Sequence, residues 1–209
     1  MLHAEAPRAI AAPARALSLG ELRRLFGACA EDPEDLGSRD AALFAVLYGA
    51  GLRACEAVAL DLEDYAPNTS TFRVRGTARA AQTAHLAPGG SEALRIWLAV
   101  RDEQPGPLFW AADGEGGLRP RRLSLGEVQE AVRRRAREAG LGAAAPEDLR
   151  CTFLSDLLTA GVEPHLIAAL AREPWPQPTP LDAATDQAVR SAAIARLRVP
   201  YRPHVGETM

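Results

Sequence analysis

The sequence contains no lysine, and all 24 of its basic residues are arginine. That absence excludes chemistry built on an amine of adjustable pKa: no lysine general acid, Schiff base or phosphate-loop lysine can form on this chain. Cysteine is scarce too. Cys29, Cys55 and Cys151 stand far apart with no C-x-x-C pair, which suits a reducing interior rather than a secreted disulfide scaffold. No apolar run approaches the roughly 18 residues of a membrane span. The first 16 residues lack a charged region followed by an apolar core, so they read as an Ala/Pro leader rather than a signal peptide. A cytoplasmic protein with no membrane partner is expected.

The chain does carry the apolar content of a globular domain. It has 209 residues, 47% apolar and 24% charged, enough for a sizeable core. Its net charge of −3 excludes nucleic-acid binding through overall charge. Any such contact needs a local basic patch.

The pattern predicts a mostly helical α+β domain. Ser18 with Glu21 forms a capping box ahead of Leu22, Leu25 and Phe26. Ser38 reads as the cap of a second helix, with Ala42, Leu43, Val46 and Leu47 inward, closing at Gly49–Gly51. A third helix is expected from Arg53 to about Leu62. Thr71–Arg75 and about Thr83–Leu86 alternate as the strands of one small antiparallel hairpin. Ser91 and Ser124 cap further helices. Pro146 and Pro164 sit at helix first turns, and a last helix is expected over Asp182–Leu197. Prolines 174, 176, 178 and 180 interrupt the chain. Residues 1–16 are expected to be disordered, 17–201 to form one domain and 202–209 to be a tail.

Several of these segments resemble the tyrosine recombinases, the family of phage integrases and Xer-type enzymes. Gly51-Leu52-Arg53-Ala54-Cys55-Glu56 resembles its G-L-R-x-x-E motif. Phe72 to Leu86 is similar to its β-hairpin. Asp148-Leu149-Arg150-Cys151-Thr152-Phe153 resembles H-D-L-R-H-T-F without the leading His, and Leu157 to Leu170 continues toward the L-L-G-H segment. The resemblance implies the family's catalytic-domain fold over about residues 17–201. It also implies descent from enzymes that cut one DNA strand with a tyrosine. The helical clamp domain that precedes the catalytic domain in that family is not expected here, because only about 16 residues come before the match.

The same resemblance implies which positions carry chemistry. Arg53 and Arg150 match two arginines that meet the negative charge of the phosphorane with paired hydrogen bonds. Their bland alternative is an internal ion pair at i,i+3, with Glu56 and Glu147 respectively. The other positions depart from the family. Its hairpin lysine falls on Thr77, its two motif histidines on Glu147 and Cys151, the residue ending L-G-H near Glu173, and its nucleophile near Asp182. No tyrosine occurs between Tyr65 and Tyr201. Tyr48 and Tyr65 read as packing residues, and Tyr201 lies too far beyond Arg150. A carboxylate opposes a bound phosphate by about 4 kcal/mol at roughly 4 Å in an effective dielectric near 20. Glu147 and Glu173 are therefore expected to pair with Arg150, Arg53 or Arg172, neutralising the old site. Glu147, Asp148 and Glu173 form the one conceivable metal set, but paired carboxylates are commoner, so neither metal nor cofactor is expected.

One segment is strongly basic. Between positions 119 and 137, Arg119, Arg121, Arg122, Arg133, Arg134, Arg135 and Arg137 stand against Glu127 and Glu130. Arg133, Arg134 and Arg137 share a helix flank that could contact phosphates. By contrast, Glu31–Asp64 holds nine acids and two arginines. The function expected is a catalytically degenerate recombinase-like protein. It would contact DNA as an accessory module, beside an intact recombinase or another chain, with no strand cleavage of its own. The alternatives are a protein-interaction module that has left DNA, and an active enzyme with a non-standard or borrowed nucleophile. An unpaired basic stripe favours DNA; one neutralised by carboxylates favours the interaction module.

Overall fold

The computed structural model describes residues 14–75, 81–113, 117–173 and 183–203, with backbone alone for 183–186. Helix α1 (Leu19–Glu31) opens on the expected capping box. The Ser18 hydroxyl accepts from the Glu21 N–H at 3.3 Å, and the Glu21 carboxylate accepts from the Ser18 N–H at 2.8 Å. Leu22, Leu25, Phe26 and Cys29 face inward.

Helix α2 (Asp35–Gly49) is the centre of the fold, packed on by α1, α4 (Gly90–Arg101) and α6 (Pro146–Thr159). It starts earlier than expected. Ser38 is not its cap but lies inside the first turns, donating to the Asp35 carbonyl at 2.7 Å, the in-helix back-bond open to serine. From Leu36 to Gly49 every residue except Ser38 is buried. A helix enclosed on all sides carries little amphipathic periodicity, so its inward residues were only partly foreseen.

Helix α3 (Ala54–Ala59) ends short of Leu62, and a 3-10 turn over Leu62–Asp64 follows. The competing bonds are visible: the Leu60 carbonyl accepts from Leu108 N–H at 2.9 Å, and Leu62 N–H donates to the Gly106 carbonyl at 2.9 Å. The chain leaves the helix to pair with that segment.

The expected hairpin is present as β2 (Thr71–Val74) and β3 (Gln82–His85), with a short β1 (Tyr65–Ala66) added on the other side of β2. A second antiparallel pair, β4 (Trp110–Ala112) and β5 (Leu118–Arg122), was not expected. Leu118-Arg119-Pro120-Arg121-Arg122 has a proline and no apolar alternation, so it lacks the usual strand signal. Helix α4 is capped by Gly89 at φ 88, not by Ser91.

Helix α5 (Leu125–Glu138) begins at Ser124, the expected cap, which forms a capping box with Glu127. Helices α6 and α7 (Pro164–Ala171) open on their prolines as predicted, and α8 (Ala183–Ile194) falls within the expected range. Arg15, read as part of a disordered leader, is tied down: its N–H donates to Asp148 Oδ1 at 2.8 Å. Two residues on, Leu17 N–H donates to the Thr152 hydroxyl at 2.8 Å. At the other end, Val199 is buried and its N–H donates to the Pro88 carbonyl at 2.9 Å. Among the described residues no helix is long and apolar enough to cross a membrane.

Candidate functional site

The site is built where the α2–α3 turn lies on α6. Gly51 has φ 59, and a Cβ there would come within 2.4 Å of the Phe153 ring. Only glycine fits both the left-handed backbone and the close approach. The Gly51 carbonyl is thereby brought to two guanidiniums: it accepts from Arg150 Nη1 and, at 2.8 Å, from Arg172 Nη2. Arg53 caps α3. The Glu56 carboxylate accepts from its N–H at 2.8 Å and its Nη1 at 2.9 Å, so the i,i+3 pair named as the alternative for Arg53 forms.

The end of α7 supplies the other half. Arg172 adopts φ 58, and its N–H donates to the Ala169 carbonyl at 3.2 Å while Glu173 N–H donates to the Ala168 carbonyl at 2.9 Å. These two bonds are a Schellman cap with arginine in the position usually held by glycine. The Arg172 side chain is buried and donates to Glu56 Oε2 at 2.8 Å and to the Leu170 carbonyl at 2.9 Å. Glu173 is then delivered between the two predicted arginines. Its Oε1 accepts from Arg53 Nη2 at 2.6 Å and from Arg150 Nη2 at 2.8 Å. Arg150 also donates to the Ala171 carbonyl at 2.7 Å.

Three guanidiniums, Arg53, Arg150 and Arg172, thus meet two carboxylates, Glu56 and Glu173. For Arg150, burial favours loss of its proton, Glu173 opposes that, and the two neighbouring cations reinforce burial, so its pKa is lowered overall. Burial of Glu173 works upward, but Arg150 and Arg53 prevail and hold its carboxyl below the ordinary range. Glu56 behaves likewise: burial raises it, and Arg172 and Arg53 pull it below normal.

Other expected participants are not here. Glu147, predicted to pair with an arginine, is exposed and forms no ion pair with the described residues. It sits in the first turn of α6, where an acid suits the helix N-terminus. Asp148 caps that helix, accepting from Ala145 N–H at 2.9 Å as well as from Arg15. Cys151 is half-buried and free. Thr77 and Asp182 lie outside the described residues, as do the prolines from 174 to 180. Glu147, Asp148 and Glu173 do not converge: no cluster of three metal-ligating side chains occurs among the described residues. The second partner of Glu56 was missed, because nothing local announces a pair 116 residues apart.

All three tyrosines are engaged in packing. Tyr48 donates to Asp156 Oδ2 at 2.8 Å, and burial with that carboxylate pushes its phenol well up. Tyr65 stacks on Phe72 with ring centres 4.9 Å apart, and burial raises its pKa. Tyr201 leans on Phe26 at 6.3 Å, beyond the anchored Val199, and burial raises its pKa too. A phenol pushed up is a poorer nucleophile near neutral pH.

The basic segment is neutralised, three of its seven arginines by the acidic one. Arg122 pairs with Asp61 and donates to the carbonyls of Val58 and Leu60. Arg134 meets the buried Asp40 at 2.6 Å, and Arg135 meets Asp40 at 2.8 Å and also Asp32. These three are committed to the fold. The others form exposed pairs: Arg119 with Asp113 at 3.3 Å, Arg121 with Glu127 at 2.6 Å, and Arg133 and Arg137 with Glu130 at 3.3 and 3.0 Å. The predicted flank of Arg133, Arg134 and Arg137 is therefore split, because Arg134 turns to Asp40.

The helical frame with its small antiparallel sheets matches known proteins. Residues 15–171 match the phage integrase family. The chain belongs to that family, and tyrosine recombinases named XerC are among its relatives. It is 32% identical over 128 residues to the tyrosine recombinase XerC of Corynebacterium glutamicum, covering 60% of this chain and 40% of that protein. It spans about half or less of the length of such relatives. The crystal structure of XerA recombinase shares the fold with a TM-score of 0.64 at 23% identity, over 86% of this chain and 62% of that one. XerH recombinase, solved on its difH substrate after cleavage, shares it with a TM-score of 0.61 at 20% identity, over 77% of this chain and 46% of that one.

Proposed function

We propose that this chain is a catalytically degenerate member of the family, a DNA-contacting accessory module of recombination or integration that works beside an intact recombinase. The observation that carries this reading is the separation of the parts. The arginine pair is assembled, but each of the chain's three tyrosines is packed elsewhere. Between Glu173 and Tyr201, the stretch in which the family's nucleophile would fall, there is no tyrosine, and the whole sequence contains no lysine. The phosphate-facing half of the chemistry is kept, and the nucleophile and leaving-group acid are not.

DNA as the partner is supported by the relatives, one of which, XerH, was solved with its difH substrate. On this chain the contact would fall to Arg119, Arg121, Arg133 and Arg137, whose present pairs are exposed. Such pairs contribute about 0–1 kcal/mol each and yield readily to a phosphate. The neutralised stripe also favours a second reading, a protein-interaction module that no longer binds DNA.

Fluorescence anisotropy with duplex and branched DNA at about 50 and about 200 mM salt separates the two. Binding that weakens steeply with salt and is lost in Arg133→Ala/Arg137→Ala supports the DNA reading. No binding at either salt sinks it and leaves the interaction module.

A further inference from the structure

Glu173 does more than neutralise charge, because its position is built. The Schellman cap fixes its backbone, and a non-glycine residue, Arg172, is held at φ 58 to make that cap, a conformation with a steric cost for an L residue. One carboxylate oxygen then takes hydrogen bonds from both Arg53 and Arg150. A phosphate or sulfate oxygen carries the same charge and accepts the same two bonds.

The two arginines do not depend on Glu173 for their positions. Arg53 is held by Glu56, and Arg150 by the carbonyls of Gly51 and Ala171. Glu173 itself is 44% exposed, against 35% for Arg53 and 12% for Arg150. It is the most exposed member of the trio. Without it, three guanidiniums would face Glu56 alone, and the vacated space would lie at the surface.

We propose that Glu173 is a tethered anion occupying an oxyanion site of the chain itself, so that Arg53 and Arg150 form a latent receptor for a tetrahedral oxyanion that opens when the carboxylate withdraws. The proposal rests on the reading that this arginine pair no longer serves strand cleavage. It adds a built-in competitor, which sets the threshold at which phosphate, free or in a nucleic-acid backbone, can enter.

The test is phosphate binding without DNA. Wild type, Glu173→Gln and Glu173→Ala are titrated with inorganic phosphate by calorimetry at constant ionic strength, with thermal denaturation in phosphate against chloride alongside. Removing the competing charge is expected to tighten phosphate binding by about tenfold or more in Glu173→Ala, with Glu173→Gln between it and wild type. The gain should vanish in Glu173→Ala/Arg53→Ala. Equal affinity in wild type and both Glu173 variants, no binding by either variant, or a gain that survives loss of Arg53 would each overturn the proposal. The isosteric Gln variant decides the matter if the Ala variant does not fold. A chain that passes this test but binds no DNA loses the DNA reading and keeps the occluded site.

Discussion

The Arg135 guanidinium meets the Asp40 carboxylate at 2.8 Å across 95 residues of sequence, and neither side chain has appreciable contact with solvent. The same carboxylate accepts from Arg39 at 2.8 Å and from Arg134 at 2.6 Å. One buried acid thus ties α5 to α2. Removing it leaves Arg39 and Arg135 as buried cations short of a partner, and breaking a buried pair from one side costs about 3–5 kcal/mol. Asp40→Ala should lower stability by that amount in urea denaturation. A loss under about 1 kcal/mol would show that the network is peripheral.

Gly51 is the hinge of the site. Its positive φ and the Phe153 ring beneath it leave no room for a Cβ. Gly51→Ala should cost about 2 kcal/mol or more through strain and overpacking. It should also displace the carbonyl that Arg150 and Arg172 share. Chemical denaturation measures the first effect, and the phosphate affinity of a Glu173→Ala background reads the second.

Arg172 separates backbone from side-chain effects. Both Arg172→Ala and Arg172→Gly lose the buried pair with Glu56, but only glycine relieves the left-handed backbone. The Gly variant should be more stable than the Ala variant by about 1 kcal/mol, and both should be less stable than wild type. An Ala variant as stable as the Gly variant would contradict the cap geometry.

Acid should weaken the helix starts. Glu21 is lowered from 4.5 to about 2 by hydrogen bonds from Arg15 and then Ser18. Glu127 is lowered to about 2 chiefly by Arg121, with Ser124 adding to it. Because the folded values lie below the unfolded ones, the stability these groups contribute is present above about pH 4.5 and is lost as pH falls toward 2. Glu21→Gln/Glu127→Gln should be less stable at neutral pH and should show a flatter stability profile across that acid window. An unchanged profile would argue against both capping boxes.

What could be read in advance followed how local each signal is. The Ser18 capping box, the Ser124 cap and the prolines opening α6 and α7 are encoded within a few residues, and they were found where predicted. The arginine pair and Glu173 were legible because three short motifs kept their order. The buried arginines were not. Arg39, Arg101 and Arg135 look like surface residues, and only the partners that the folded chain gathers around them make burial tolerable. Arg101, for example, is enclosed by the carbonyls of Asp102, Gln104, Gly106 and Pro107. Of the helix flank whose pairing the sequence left open, Arg134 is taken by the distant Asp40, while Arg133 and Arg137 pair with Glu130 of their own helix.

The function proposed above requires a chain that keeps a phosphate-facing arginine pair and lacks a nucleophile. Its most direct test mixes the protein with labelled random-sequence duplexes, nicked and branched DNA included, and then denatures the sample on a gel. All label is expected to migrate as free DNA, whatever was bound before denaturation. A label that stays with the protein, and is lost in Tyr201→Phe, would contradict that function and identify an active strand-cleaving enzyme.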